Sequence, residues 1–140
     1  MSYDLMVFEP SVAPRQRKAF MEWFAEQTRW AEGHSYRDHA VSSEALQAWF
    51  KEMIAYFPPM NGPLASGDVD NERVTDHCVG KSVIYSAFSW SVAEEAFPVM
   101  RELAIKHRVG FFDVSAEDGE ILFPDEENGK DKARSWWKIW

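Results

Sequence analysis

The chain has a single cysteine, Cys78, among its 140 residues. A lone cysteine excludes an intramolecular disulfide and any zinc or iron–sulfur site that needs several cysteine ligands. Long apolar runs are also missing, since no segment approaches the roughly 20 residues that a membrane span requires. Residues 1–4 lack the basic stretch and the apolar stretch of a secretory signal. We therefore expect a cytoplasmic protein with no membrane association.

Basic residues and nucleotide-binding motifs are scarce as well. The 15 Lys and Arg residues against 23 Asp and Glu give a net charge of -8, whereas nucleic-acid binding needs clustered cations to neutralise phosphates. The sequence contains no G-x-G-x-x-G, no G-x-x-x-x-G-K and no G-x-S-x-G motif, so phosphate cradles and a serine nucleophile elbow have no support. We expect neither a nucleic-acid partner nor a cofactor.

What is present fits one folded domain. The length of 140 residues, the 46% of apolar residues and the 27% of charged residues are ordinary for a soluble globular chain. Breakers and polar residues increase after residue 124, and the chain then ends in a stretch rich in tryptophan. We predict a single domain over 1–140, with a compact core over about 2–124 and a tail over 125–140.

The negative charge is concentrated in two segments. Residues 111–131 carry a net charge of -7 and residues 66–76 a net charge of -3, so the rest of the chain carries +2. Acidic, turn-rich segments on a nearly neutral scaffold can steer a cationic partner. The acidic residues that we predict to contact such a partner are Asp68, Asp70, Glu72, Asp113, Glu117, Asp118 and Glu120.

Apolar periodicity predicts the element order β-α-α-β-β-α-β-β. The predicted strands are 3–8, 74–79, 82–89, 109–115 and 120–123. The predicted helices are 14–31, 42–57 and 91–107, the last beginning with a capping box at Ser91 and Glu94 and kinked or split by Pro98. This order predicts an α+β fold: a ferredoxin-like sheet with the helices on one face and an extra C-terminal hairpin strand.

The tryptophans divide into two groups. Trp23, Trp30 and Trp49 follow helical apolar spacing, which is typical of core residues. Trp136, Trp137 and Trp140 alternate with cations in the tail. Three exposed indoles are poorly tolerated in water, so we expect the tail to dock over the sheet or on a partner, with Trp136 and Trp137 among the partner contacts.

A second set of polar residues favours a different interpretation. His34, Tyr36 and His39 lie in the connection after the first helix, and Asp76 and His77 lie in the second predicted strand. If the two places meet, these five side chains form the pocket of a small enzyme, or a ligand-binding or metal-binding domain.

Cys78 beside His77 suggests a cysteine nucleophile, but two features argue against it. Adjacent strand residues point to opposite faces of a sheet, so these two side chains do not share a site. Asp76 would share the face of Cys78, and a neighbouring negative charge disfavours the thiolate. We therefore predict no catalytic residue.

Three segments carry a resemblance to known proteins: MSYDLMVF at the start, FPPMNGP over residues 57–63 and GFFDVS over residues 110–115. Together they resemble a family of small uncharacterised bacterial proteins, up to about residue 124. The short acidic α+β form is also similar in style to immunity proteins, which neutralise bacterial toxins by binding them. Neither resemblance implies an assignment of site residues.

Three functions remain open from the sequence. The first is a non-enzymatic binding module, most concretely an immunity-like inhibitor that presents acidic loops to a basic protein partner. The second is the small enzyme, or ligand-binding or metal-binding domain, with the His and Asp pocket described above. The third is a structural protein that oligomerises by exchanging its Trp-rich tail.

Overall fold

A five-stranded antiparallel sheet organises the computed structural model, which describes residues 2–67 and 70–124. The strands are β1 (Tyr3–Phe8), β2 (Asp76–Val79), β3 (Val83–Phe88), β4 (Gly110–Phe112) and β5 (Ile121–Leu122). The helices are α1 (Arg17–Gln27), α2 (Glu44–Met53) and α3 (Ala93–His107), with short 3-10 turns at His39–Val41 and Trp90–Val92. The predicted α+β class is therefore confirmed.

The strands lie in the order β2-β3-β1-β4-β5. The hairpin of β4 and β5, in which Phe111 pairs with Leu122, confirms the predicted extra C-terminal strand. The structure thus supports an antiparallel α+β sheet, and the finer ferredoxin-like assignment is not confirmed.

Helices cover both faces of the sheet, so the prediction that they share one face is wrong. Leu5 and Val7 of β1 pack with α2 and α3, whereas Met6 and Phe8 pack with α1 on the opposite face. The cause is visible in β1, where four consecutive apolar residues are buried and alternate between the two faces. The aromatic side chains of α1, among them Phe20, pack on this second face of β1, where Phe20 contacts the ring of Phe8.

The helices begin and end inside the predicted limits. Trp30 has φ of 54°, which places it in the left-handed region beyond the end of α1. The capping box is wrong: Val92 occupies the N-cap position of α3 without a side-chain hydrogen bond. Ser91 Oγ instead donates to Glu72 Oε2 at 3.0 Å. The chain forms the 3-10 turn Trp90–Val92 before α3, so Ser91 lies inside that turn and not at the N-cap of the helix. α3 then runs through Pro98 without interruption.

Three predicted features lie outside the described residues. They are Asp68, the tail 125–140 with Trp136 and Trp137, and the tail exchange that the oligomer interpretation requires. Among the helices in the described parts of the chain, none combines the length and the apolar composition needed to cross a bilayer.

β4 packs closely on β1 where Gly110 meets the ring of Phe8. A Cβ built on Gly110 would lie 2.2 Å from the ring of Phe8, which is fully buried among aromatic side chains. We expect Gly110→Ala to lower the free energy of unfolding by about 1–3 kcal/mol, since an overpacked core shifts the ring. Urea unfolding measures this.

Gly67→Ala is the matched control, because nothing lies within 4 Å of its Cβ position. Both changes restrict the unfolded chain similarly, so their difference isolates the contact with Phe8. Equal stability of the two variants would show that Gly110 is not required for close packing.

Candidate functional site

The two acidic segments meet at one end of the sheet. Ala87 of β3 pairs with Asp4 of β1 on one side and with Asp76 of β2 on the other. The backbone N–H of Asp4 donates to Ser115 Oγ at 2.7 Å, which brings the β4–β5 turn to the same place. We name this surface the acidic end and define it by Asp4, Asp70, Glu72, Asp76, Asp113, Glu117, Asp118 and Glu120.

An exposed tryptophan lies between the two segments. Trp90 follows β3 directly and is 52% exposed. Its ring centroid is 5.1 Å from that of Tyr3, and the next residue, Ser91, donates to Glu72. Burial first, and then the nearby carboxylate of Asp113, raise the pKa of Tyr3 to about 12. Contacts therefore connect Glu72 through Ser91 and Trp90 to Tyr3, and the charge of Asp113 lies close enough to Tyr3 to act on it.

The sequence prediction missed Trp90 as a site residue. It belongs neither to the helical apolar stripes nor to the terminal cluster, and it stands immediately before a predicted helix start. A large apolar side chain at such a junction has no core face to fill, and this was the available signal.

Arginines already pair with one carboxylate of α3 and with one carboxylate of the acidic end. Arg73 forms an ion pair with Glu95, and Arg101 forms one with Glu120 at 2.8 Å. Asp70, Glu117 and Asp118 are exposed in turns and have no ion pair to a described residue. Asp113 is half-buried, and burial raises its pKa. The charge available to a partner therefore resides mainly in the exposed turn residues.

The predicted His and Asp pocket is not assembled. His77 is buried on the face covered by α2 and α3, where its Nδ1 lies 2.7 Å from Ser86 Oγ and its Nε2 lies 3.1 Å from the carbonyl oxygen of Phe57. Asp76 lines a cavity on the opposite face, as strand alternation requires.

The other members are divided between these two places: His39 shares the ring of Phe50 as a packing partner with His77, whereas Tyr36 packs on Trp30, which lines the cavity of Asp76. His39 stacks on the ring of Phe50, with centroids 5.2 Å apart, and His34 Nε2 lies 2.6 Å from Glu32 Oε1. The ring of Tyr36 packs against that of His34, with centroids 4.2 Å apart. Among the described parts of the chain, no three His, Cys, Asp or Glu side chains are arranged to hold a metal ion.

Cys78 is not an activated nucleophile. Burial first, and then the charges of Asp76 and Asp4, raise the pKa of its thiol to about 11. This agrees with the expectation that Asp76 shares the face of Cys78 and disfavours the thiolate. The side chain is best understood as a neutral part of the wall of the cavity that Asp76 also lines.

Comparisons of the chain with protein-family models, with curated proteins and with solved structures give no match. The resemblance to small bacterial proteins and the similarity to immunity proteins therefore stay predictions.

Burial of His77 predicts a pH-dependent stability. Burial lowers its pKa from 6.5 to about 4, although its hydrogen bond to Phe57 opposes the shift. Between these two values the unfolded chain binds a proton that the folded chain does not, so stability falls as the pH falls. We expect a loss of about 2 kcal/mol between about pH 7 and pH 5 from this residue.

Urea unfolding of the wild type and of His77→Gln at both pH values measures the effect. The variant keeps an amide in place of the ring but cannot titrate, so its stability should change less over this interval. An identical pH dependence in the two proteins would mean that His77 is not held neutral by the core.

Proposed function

We propose that this chain is a non-enzymatic, cytoplasmic protein-binding module that docks a basic partner on the acidic end, most concretely as an immunity-like inhibitor. The observation that supports the proposal is that β2, β3, β1 and β4 pair in that order, and the backbone N–H of Asp4 donates to Ser115, so that two acidic segments separate in the sequence lie at the end of the sheet near the exposed Trp90. Neither segment alone would offer both charge and an apolar anchor.

The composition of this surface fits the physics of protein recognition. Exposed carboxylates at the rim attract a basic surface over a distance of about 8–10 Å at physiological salt and so raise the association rate. A tryptophan at the centre supplies apolar area that is desolvated on docking, and such residues often dominate binding energy. We expect the charges to set the on-rate and Trp90 to set the lifetime of the complex.

The surroundings of His77 and Cys78 do not favour catalysis. His77 is enclosed by Ser86 and the Phe57 carbonyl, and the Cys78 thiol is held protonated by its surroundings. Neither group is poised to transfer a proton or attack a substrate. These two environments favour a binding role over a catalytic one.

A finer fold assignment accompanies this proposal. We interpret the sheet as a ferredoxin-like variant in which β5 is added beyond β4. The position of β1 between β3 and β4, and the hairpin of β2 with β3, support this interpretation. The placement of α1 on its own face is the feature that departs from it.

Capture of a partner from cells that express this chain tests the proposal. Wild-type bait should retain a basic protein, and Trp90→Ala should weaken its binding by about 2 kcal/mol or more, since the anchor is lost. Because Trp90 packs mainly on Tyr3 and is half exposed, the variant should remain folded. Affinity and association rate are measured by surface plasmon resonance.

Charge-neutral variants separate specific docking from general attraction. Asp70→Asn with Glu117→Gln should slow association and flatten its dependence on salt. Glu26→Gln with Glu44→Gln removes the same charge from exposed positions outside the acidic end and should have little effect. Three results would contradict the proposal. The first is an unchanged association rate in the Asp70→Asn, Glu117→Gln variant, and the second is an equal change in both double variants. The third is the capture of no basic protein by the wild type.

A further inference from the structure

A cavity of about 270 Å³ lies on the α1 face of the sheet, over β2 and β3. Cys78 of β2 pairs with Tyr85 of β3, and Asp76 pairs with Ala87. Because side chains alternate along each strand, all four lie on the face that the cavity occupies. The end of α1 and the residues after it form the remaining wall. The lining residues are Phe24, Thr28, Trp30, Asp76, Cys78, Tyr85 and Ala87.

The charge in this cavity is negative, and the described residues supply no counterion to it. Asp76 is half-buried in the wall, and no Lys, Arg or His of the described residues forms an ion pair with it. Asp4 adds a second carboxylate nearby, and its Oδ2 accepts a hydrogen bond from the hydroxyl of Tyr85. Both carboxylates raise the pKa of Cys78, which shows that their field reaches the interior of the cavity.

The walls are aromatic and fixed in position. The ring of Tyr85 lies between Phe24, with centroids 6.4 Å apart, and Trp30, with centroids 6.0 Å apart. Burial and the bond to Asp4 raise the pKa of Tyr85, so it remains a neutral phenol. Tyr85 and Trp30 both line the cavity, and neutral aromatic rings at its wall can attract a cation.

Backbone strain accompanies this arrangement. Trp30 has φ of 54° and Tyr36 has φ of 60°, a conformation that bulky side chains rarely adopt. Their rings pack against each other with centroids 5.2 Å apart, and Trp30 is thereby held against Tyr85. Strain at bulky residues persists where the surrounding structure requires a particular side-chain position.

We propose that this cavity binds a small organic cation, an ammonium or guanidinium group, between the carboxylate of Asp76 and the aromatic faces of Trp30 and Tyr85. The cation supplies the counterion, and the aromatic walls contribute cation–π attraction. The group can belong to a free amine or to a lysine or arginine side chain of a protein. The cavity shares Asp76 and Asp4 with the acidic end, but cation binding in the cavity does not require the acidic end to dock a protein partner.

Titration calorimetry of the full chain with defined probes tests this assignment. Butylammonium and butylguanidinium should bind saturably at millimolar concentrations, whereas 1-butanol, the neutral analogue, should not. Asp76→Asn should weaken cation binding about tenfold or more, since it keeps the shape and removes the charge. Glu44→Gln, a control at an exposed position on α2, should leave binding unchanged.

A second variant keeps the test valid if Asp76→Asn fails to fold. Ala87→Leu retains Asp76 and fills the cavity from the wall, so it should also abolish binding. Blocked lysine and arginine amides distinguish the two sources of the cation. If they bind more tightly than butylammonium and butylguanidinium, the cavity binds a side chain of a protein. If the simple cations bind more tightly, the cavity binds a free amine. Equal binding of 1-butanol, unchanged affinity in either variant, or no saturable binding would overturn the proposal.

Discussion

The pairing of β1 with β3 is the constraint on which the rest of the structure depends. Its register sets Asp4 opposite Ala87, and β2 then sets Asp76 on the other side of the same residue. Because β1 is buried on both faces, it also divides the aromatic residues between two cores. The acidic end and the cavity follow from these pairings together with the hydrogen bond of Asp4 to Ser115, whereas the separation of Asp76 from His77 follows from alternation along β2.

Local sequence patterns predicted the elements well but not their arrangement. Alternation and breakers located all five strands and three helices, because these signals act within a few residues. They could not show that α1 lies on its own face, since an apolar helix stripe is the same whichever sheet face it covers. The Ser91 capping box was wrong because a 3-10 turn over Trp90–Val92 precedes α3 and moves the N-cap to Val92.

The candidate sites show the same division between local and long-range information. Each acidic segment was visible in the sequence, but their meeting depends on strand register and on the contact of Asp4 with Ser115. Alternation correctly separated His77 from Cys78 and placed Asp76 beside Cys78. It could not reveal that Trp30 and Tyr85 enclose these residues, since Trp30 takes a left-handed conformation that ordinary helical spacing does not predict.

The central claim is that two separate acidic segments and Trp90 act as one binding surface. Hydrogen–deuterium exchange of the chain, free and in complex with a captured partner, tests it most directly. The account predicts slowed exchange in residues 3–4, 70–76, 90–95 and 113–120 together. Protection confined to α1, to the 34–41 connection or to only one of the acidic segments would contradict it.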